Sequence, residues 1–148
     1  MNHLITVLIP TFNDFKAFQK VIKYYSNDKR VKIIVSDDSN DISQRNLIKS
    51  KCLEKGIYYV KGTKQKPVDN WNNLMKMINT PFFVLNHHDE YPINLSFLDL
   101  LHKDNIGLIV LPCTSISNGE LINEIFSWQQ KLFSAICLIF PNASFNMF

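Results

Sequence analysis

Apolar residues fall along this chain in short runs, separated by stretches whose apolar positions recur with helical period. Residues 4–9 are nearly all apolar and end at Pro10, the pattern of a strand covered on both faces, as in a parallel sheet. Over residues 14–25, Phe15, Phe18, Val21, Ile22 and Tyr25 fall three or four apart. This predicts a helix with Asn13 or Asp14 as its N-cap. Residues 31–35 read as a second strand. Residues 42–55 read as a Lys-rich helix with Leu47, Ile48 and either Cys52 or Leu53 inward, stopped by Gly56. A third strand is expected at 57–60, a helix at 68–79 with Trp71, Leu74, Met75 and Ile78 on one side, and a fourth strand at 82–85. The pattern then predicts a helix at 95–102, a fifth strand at 108–111, and mostly helix over 121–140. Strict alternation of strands and helices predicts an α/β fold with a mostly parallel twisted sheet flanked by helices. At 148 residues the chain reads as a single domain, 1–148.

Composition narrows the classes. Hydrophobic residues at 46% and charged residues at 20% argue against disorder. A formal net charge of +3 excludes a strongly basic nucleic-acid scaffold, so no nucleic-acid partner is expected. Only Arg30 and Arg45 are arginines, so bidentate reading of phosphates or bases by guanidinium forks is scarce. Cys52, Cys113 and Cys137 are far apart and form no C-x-x-C pair, which excludes a zinc knuckle and fits a reducing compartment. The apolar run at 4–9 is too short for a secretory signal. The run at 132–140 is nine residues, where a bilayer span needs about 20. The expectation is a cytoplasmic protein, at most peripheral to a membrane.

In an open α/β sheet, ligands bind outside the carboxyl ends of the strands. Three polar clusters fall there: Pro10, Thr11, Phe12 and Asn13 after the first strand, Asp37 and Asp38 after the second, and Asn86, His87, His88, Asp89 and Glu90 after the fourth. They are distant in sequence, and the fold would bring them to one edge. With only Gly56, Gly62, Gly107 and Gly119, the chain has no glycine-rich phosphate cradle. A diphosphate at this edge would want a metal instead. Asp89 offers a hard oxygen ligand, and a neighbouring imidazole suits Mn²⁺ better than Mg²⁺; a solvated strand–helix loop is the alternative. Asp37 and Asp38, being adjacent on a strand end, point in different directions and are no shared-proton dyad. One can accept from a base N–H while the other closes the loop, or both can serve an Asx-turn before a helix capped by Asp41. Lys61, Lys64 and Lys66 read as a solvated basic loop. Trp71 reads as core rather than a stacking platform.

These residues match a family. Val7-Leu8-Ile9-Pro10-Thr11-Phe12-Asn13 resembles the opening V-I-I-P-T-Y-N of family 2 glycosyltransferases with the GT-A fold. Ile33-Ile34-Val35-Ser36-Asp37-Asp38-Ser39 is similar to that family's I-I-V-x-D-D-x-S segment. The stretch Asp69-Asn70-Trp71-Asn72, with Thr80-Pro81-Phe82-Phe83-Val84-Leu85-Asn86-His87-His88-Asp89-Glu90, resembles its W-N and L-x-x-D-D region. The resemblance covers residues 4 to about 92. It implies a Rossmann-like GT-A sheet and transfer of a sugar from a nucleotide sugar, usually UDP-linked, to an acceptor hydroxyl in polysaccharide or glycolipid synthesis. It implies that Pro10, Thr11 and Asn13 line the nucleotide and that Asp38 hydrogen-bonds the base. It implies that Asp89, with His87 beside it, binds a divalent cation, Mn²⁺ or Mg²⁺, bridging the diphosphate. His87 and His88 depart from the family's acids.

Inverting transfer also needs a carboxylate base, which the family supplies from the second half of its domain. Here the only acids after the metal loop are Asp99, Asp104, Glu120 and Glu124. Glu120 and Glu124, read as the start of a last helix, are the remaining candidates. Family members are longer, and the resemblance implies that the acceptor half is incomplete in this chain. Two readings follow: a small glycosyltransferase, or a truncated, non-catalytic nucleotide-sugar-binding module. An unfinished acceptor half would expose apolar surface from 132 to 148 and invite peripheral membrane contact or self-association. A phospho-acceptor receiver domain is the weakest reading, because its acidic pair follows the first strand rather than the second.

Overall fold

The computed structural model describes residues 3–62 and 67–102, and beyond them four strands at 109–111, 115–117, 120–122 and 137–141. In chain order the elements are β1 (Ile5–Thr11), α1 (Phe15–Tyr25), β2 (Val31–Asp37), α2 (Ile42–Lys55), β3 (Tyr58–Lys61), α3 (Pro67–Met75) and β4 (Phe82–Leu85). A 3₁₀ helix at Ser96–His102 follows, then β5 (Ile109–Leu111), β6 (Ser115–Ser117), β7 (Glu120–Ile122) and β8 (Cys137–Pro141). Six strands form one sheet in the order β3-β2-β1-β4-β8-β5, and β6 and β7 form a separate antiparallel pair. β3, β2, β1 and β4 are parallel.

Both faces of β1, β2 and β4 are covered, which is why they lack a polar–apolar alternation, while β3 at the sheet edge is partly exposed. On one face, Ile5, Val7, Ile9, Ile33 and Val35 pack against Phe18, Val21, Ile22 and Tyr25 of α1, Ile48 and Cys52 of α2, and Leu98 and Leu101 of the 3₁₀ helix. On the other, Leu8, Ile34 and Phe83 meet Leu74 of α3, with Trp71 and Met75 partly buried around them. Arg30 ties the start of β2 to the 3₁₀ helix, pairing with Asp28 and Asp99, each at 2.7 Å. The buried hydroxyl of Thr80 donates to the Phe82 carbonyl at 2.7 Å and lies 2.6 Å from Thr6 Oγ1, so the Thr6 hydroxyl is the donor of that pair.

Local signals set the helix ends. The Asp14 carboxylate accepts from Ala17 N at 2.9 Å and caps α1. Asp41 accepts from Ser43 N at 2.8 Å and Gln44 N at 3.3 Å and caps α2. Gly56 ends α2 in the left-handed region at φ 64°, a conformation glycine adopts without a Cβ penalty. Of the inward candidates on α2, Ile48 and Cys52 are buried, whereas Leu47 is 47% and Leu53 84% exposed, so Leu47 does not face the core as expected. Burial, helped by the negative charge of Asp37, pushes the Cys52 thiol up to about 12.

The chain departs from strict alternation after β4. The expected helix over 121–140 is not formed at either end. Residues 120–122 are β7, and 137–141 are β8, antiparallel between β4 and β5. The run Cys137-Leu138-Ile139-Phe140 suits a strand paired on both sides, and an antiparallel partner needs no helical crossover. Glu120 therefore opens a strand, not a helix; Glu124 and Asp104 lie outside the described residues. The segment expected as a helix at 95–102 is a 3₁₀ helix. Among the described residues, no helix is long and apolar enough to cross a membrane.

Ile48→Ala should lower stability by about 2–5 kcal/mol, the usual cost of emptying a buried aliphatic site. Leu53→Ala should stay within about 0.5 kcal/mol of the parent, as surface changes do. Urea unfolding of the two variants checks the facing of α2.

Candidate functional site

The strand register brings the polar clusters to one edge. Thr11 pairs with Asp37 across β1 and β2, and Asp37 with Lys61 across β2 and β3, so the three strands end level. Leu8 pairs with Leu85 across β1 and β4, and Asn86 N–H donates to Leu8 O at 2.9 Å, starting the 86–90 loop beside β1. Pro10, Thr11, Asp38 and the loop carrying His87 and Asp89 thus share the carboxyl edge of the parallel strands. The side chain of Glu120, in the β6–β7 pair, lies outside the described residues.

The buried carboxylate of Asp37 is the tie beneath this edge. Its oxygens accept from Thr11 Oγ1 at 3.2 Å, Ser39 N at 2.9 Å and Tyr59 Oη at 3.1 Å. It is fully buried, so these donors replace the water it has lost. Burial, the Asp37 charge and the hydrogen bond to it hold the Tyr59 hydroxyl protonated well above the usual phenol range, against an opposing pull from Arg45. Arg45 donates to the carbonyl of Ser39. Both arginines of the chain are therefore engaged within the protein.

Asp38 follows with a different exposure. Its N–H donates to Thr11 O at 3.0 Å, which locks the ends of β1 and β2, and its side chain is half-buried at the edge. The two adjacent acids have separate surroundings: Asp37 beneath the loop, Asp38 at its surface.

Asn13 is held in the left-handed region, at φ 50°, a conformation Asn tolerates better than most residues. Its N–H donates to Ser39 Oγ at 2.8 Å, and its side-chain oxygen accepts from Asn40 N and Asp41 N, each at 3.0 Å. Its amide nitrogen also donates to Asn40 Oδ1. The Asn13 side chain clasps the β1–α1 loop to the β2–α2 loop, and Phe12 beside it is 51% exposed.

The 86–90 loop has a similar internal frame. Buried Asn86 accepts from Tyr25 Oη at 2.9 Å and donates through Nδ2 to the carbonyls of His87 at 2.6 Å and Glu90 at 2.8 Å. Glu90 N–H donates to His87 O at 3.2 Å, closing a tight turn. With the backbone so held, His87 and Asp89 point out as exposed side chains. The His87 ring meets Trp71 edge-on at 5.5 Å between centroids, so Trp71 belongs both to the core and to the site wall. Among the described residues, no group of three His, Cys, Asp or Glu side chains is placed to hold a metal. Asp89 and His87 offer an exposed carboxylate and an exposed imidazole, donor types that divalent cations accept.

Tyr59, Asn86 and Gly62 carry more of this architecture than pattern reading assigned them. The signal for Gly62 was present: it is one of only four glycines and directly follows a strand. A cavity of about 300 Å³ lies at the opposite edge, between the C-terminal halves of α1 and α2, lined by Lys20, Lys23, Lys51 and Lys55 among others. It is remote from these clusters.

No protein-family model matches the chain, and no curated protein matches it in sequence. Solved structures do match in fold. The S. aureus TarS 1–349 structure in complex with UDP aligns at a TM-score of 0.72 and 15% identity, over 95% of this chain and 47% of TarS 1–349. The Pyrobaculum calidifontis mannosyltransferase PcManGT, in complex with GDP-Man and Mn²⁺, aligns at 0.59 and 15% identity, over 78% of this chain and 36% of its own. A cytidylyltransferase from Leptospira borgpetersenii aligns at 0.54 and 13% identity, over 97% of this chain and 61% of its own. This chain spans less than two thirds of the length of each. The architecture is a GT-A-like α/β fold shared with solved glycosyltransferases.

The clasp at Asn13 predicts an order of stability. Asn13→Gly keeps the left-handed backbone and loses the side-chain hydrogen bonds, at about 1 kcal/mol each. Asn13→Ala loses the bonds and adds roughly 1 kcal/mol of backbone strain. Chemical denaturation should rank parent above Gly above Ala.

Proposed function

We propose that this chain is the nucleotide-sugar-binding part of a family 2 type glycosyltransferase, which transfers a sugar from a UDP-linked donor to an acceptor hydroxyl of a polysaccharide or glycolipid at a cytoplasmic membrane face. The observation that carries the reading is the convergence of Thr11, Asp38 and the 86–90 loop at the carboxyl edge of four parallel strands, in a fold shared with glycosyltransferases. That neighbours were solved with UDP and with GDP-Man and Mn²⁺ supports a nucleotide-sugar partner.

The residues divide the work. The Pro10–Thr11 turn lines the nucleotide. The Asp38 carboxylate accepts the N3–H of uracil, a hydrogen bond to a charged acceptor. Asn13 holds the turn in place by its contacts with Asn40 and Asp41. Phosphate oxygens beside Asp38, Asp89 and Glu90 would meet like charge. A divalent cation held by Asp89 with His87 would supply Lewis-acid neutralisation of the departing diphosphate. Transfer also requires a base within about 2.6–3.2 Å of the acceptor hydroxyl, directly or through one water. Glu120 and Glu124 are the candidates in this chain.

Titration calorimetry with UDP tests the reading. Binding should be strong with Mn²⁺ and at least about tenfold weaker in chelator, since the bridging cation offsets like-charge repulsion. Asp89→Ala should remove the Mn²⁺ dependence. Equal affinity with and without chelator would remove the metal from the account, and no UDP binding under either condition would overturn the reading.

A further inference from the structure

Gly62 directly follows β3, and its N–H donates to Asp37 O at 2.8 Å. It is not among the positive-φ glycines, so its backbone conformation is open to any residue. What demands glycine is space. A Cβ built on Gly62 would fall 1.9 Å from Asp38 Oδ1 and 2.5 Å from Asp38 Cγ, and 3.2 Å from the backbone carbon of Asp37. The Asp38 carboxylate therefore occupies the place that a side chain at residue 62 would take.

From this contact we infer that Gly62 is a positioning residue for base recognition. Its bare Cα is the seat of the Asp38 carboxylate, and the seat sets which way the carboxylate faces at the edge. The inference rests on the reading of Asp38 as the base acceptor given above. Three fixed points define the seat. Asp38 N–H is bonded to Thr11 O, Gly62 N–H is bonded to Asp37 O, and Asp37 is bonded to Tyr59 of β3. The backbones on both sides of the carboxylate are held by hydrogen bonds, so a methyl group at residue 62 displaces chiefly the Asp38 side chain, with a few tenths of an ångström of give against the Asp37 backbone. A rotated carboxylate no longer meets a uracil N3–H along the same line.

UDP and CDP distinguish this effect from a general loss of structure. Uracil N3 carries a proton for the carboxylate; cytosine N3 carries a lone pair that the carboxylate repels. The test is calorimetric titration of the full 148-residue chain with UDP and CDP in Mn²⁺, with a melting temperature for each variant. The parent should prefer UDP by about tenfold or more, the factor a hydrogen bond to a charged group supplies. Asp38→Ala should abolish the preference. Gly62→Ala should reduce it to nearly the same level, and adding Gly62→Ala to Asp38→Ala should change it no further.

Two results overturn the role of Gly62 alone: a UDP preference unchanged in Gly62→Ala while Asp38→Ala loses it, or the same loss on adding Gly62→Ala to both backgrounds. A parent with no UDP preference overturns the base reading and this inference with it. If Gly62→Ala unfolds, the double variant decides. Removing the carboxylate should restore the melting temperature towards that of Asp38→Ala, and failure to restore it overturns the contact.

Discussion

The Asp37 carboxylate is the interaction on which the carboxyl edge depends. A fully buried anion is tolerated only with donors around it, and here they come from three strands or their loops: the Thr11 hydroxyl, the Ser39 amide and the Tyr59 hydroxyl. Hydrogen bonds to a charged acceptor contribute about 1.5–3 kcal/mol each. Because the three donors arrive from β1, the β2–α2 loop and β3, making all three bonds at once fixes the relative ends of the strands. The turn carrying Pro10 and Thr11, the surface acid Asp38 and the seat at Gly62 follow from that. Cys52 and Tyr59 register the same buried charge, each held protonated by burial first and then by Asp37.

The edge is built in two layers. Asp37, Asn13 and Asn86 face inward to other loops and hold backbone in place. Asp38, Asp89, His87 and Phe12 are left at the surface of those loops. Backbone held beneath and side chains presented at the surface is the arrangement a binding site needs, since groups already ordered lose less entropy when a ligand arrives. The adjacent pair Asp37 and Asp38 shows the division at single-residue scale: one carboxylate orders the edge and the other is presented by it.

Much of this was legible in the residues. The span of α2 follows from Asp41 and Gly56, a cap and a stop whose chemistry is local. The strands β1, β2 and β4 follow from apolar runs too dense for a one-sided sheet, and their parallel order placed the polar clusters on one edge. What local pattern could not supply was pairing between distant segments. The run ending at Phe140 has no clear period, and its strand state is set by β4 and β5 on either side of it. Nor could it supply the inward use of Asn13 and Asn86, whose partners lie 27 and 61 residues away in sequence. The choice of Cys52 over Leu53 was likewise left to packing, because both fall near the boundary of the apolar stripe on α2.

The central claim is that the carboxyl edge ordered by Asp37 is where this chain takes up a nucleotide. Amide chemical-shift mapping on adding UDP with Mg²⁺, a diamagnetic cation that keeps nearby signals visible, tests it most directly. The account predicts perturbations grouped at Thr11, Asp38, Gly62 and residues 87–90, with the lysine-lined cavity between α1 and α2 unchanged. Perturbations grouped at Lys20, Lys23, Lys51 and Lys55, with the strand-end loops silent, would contradict it.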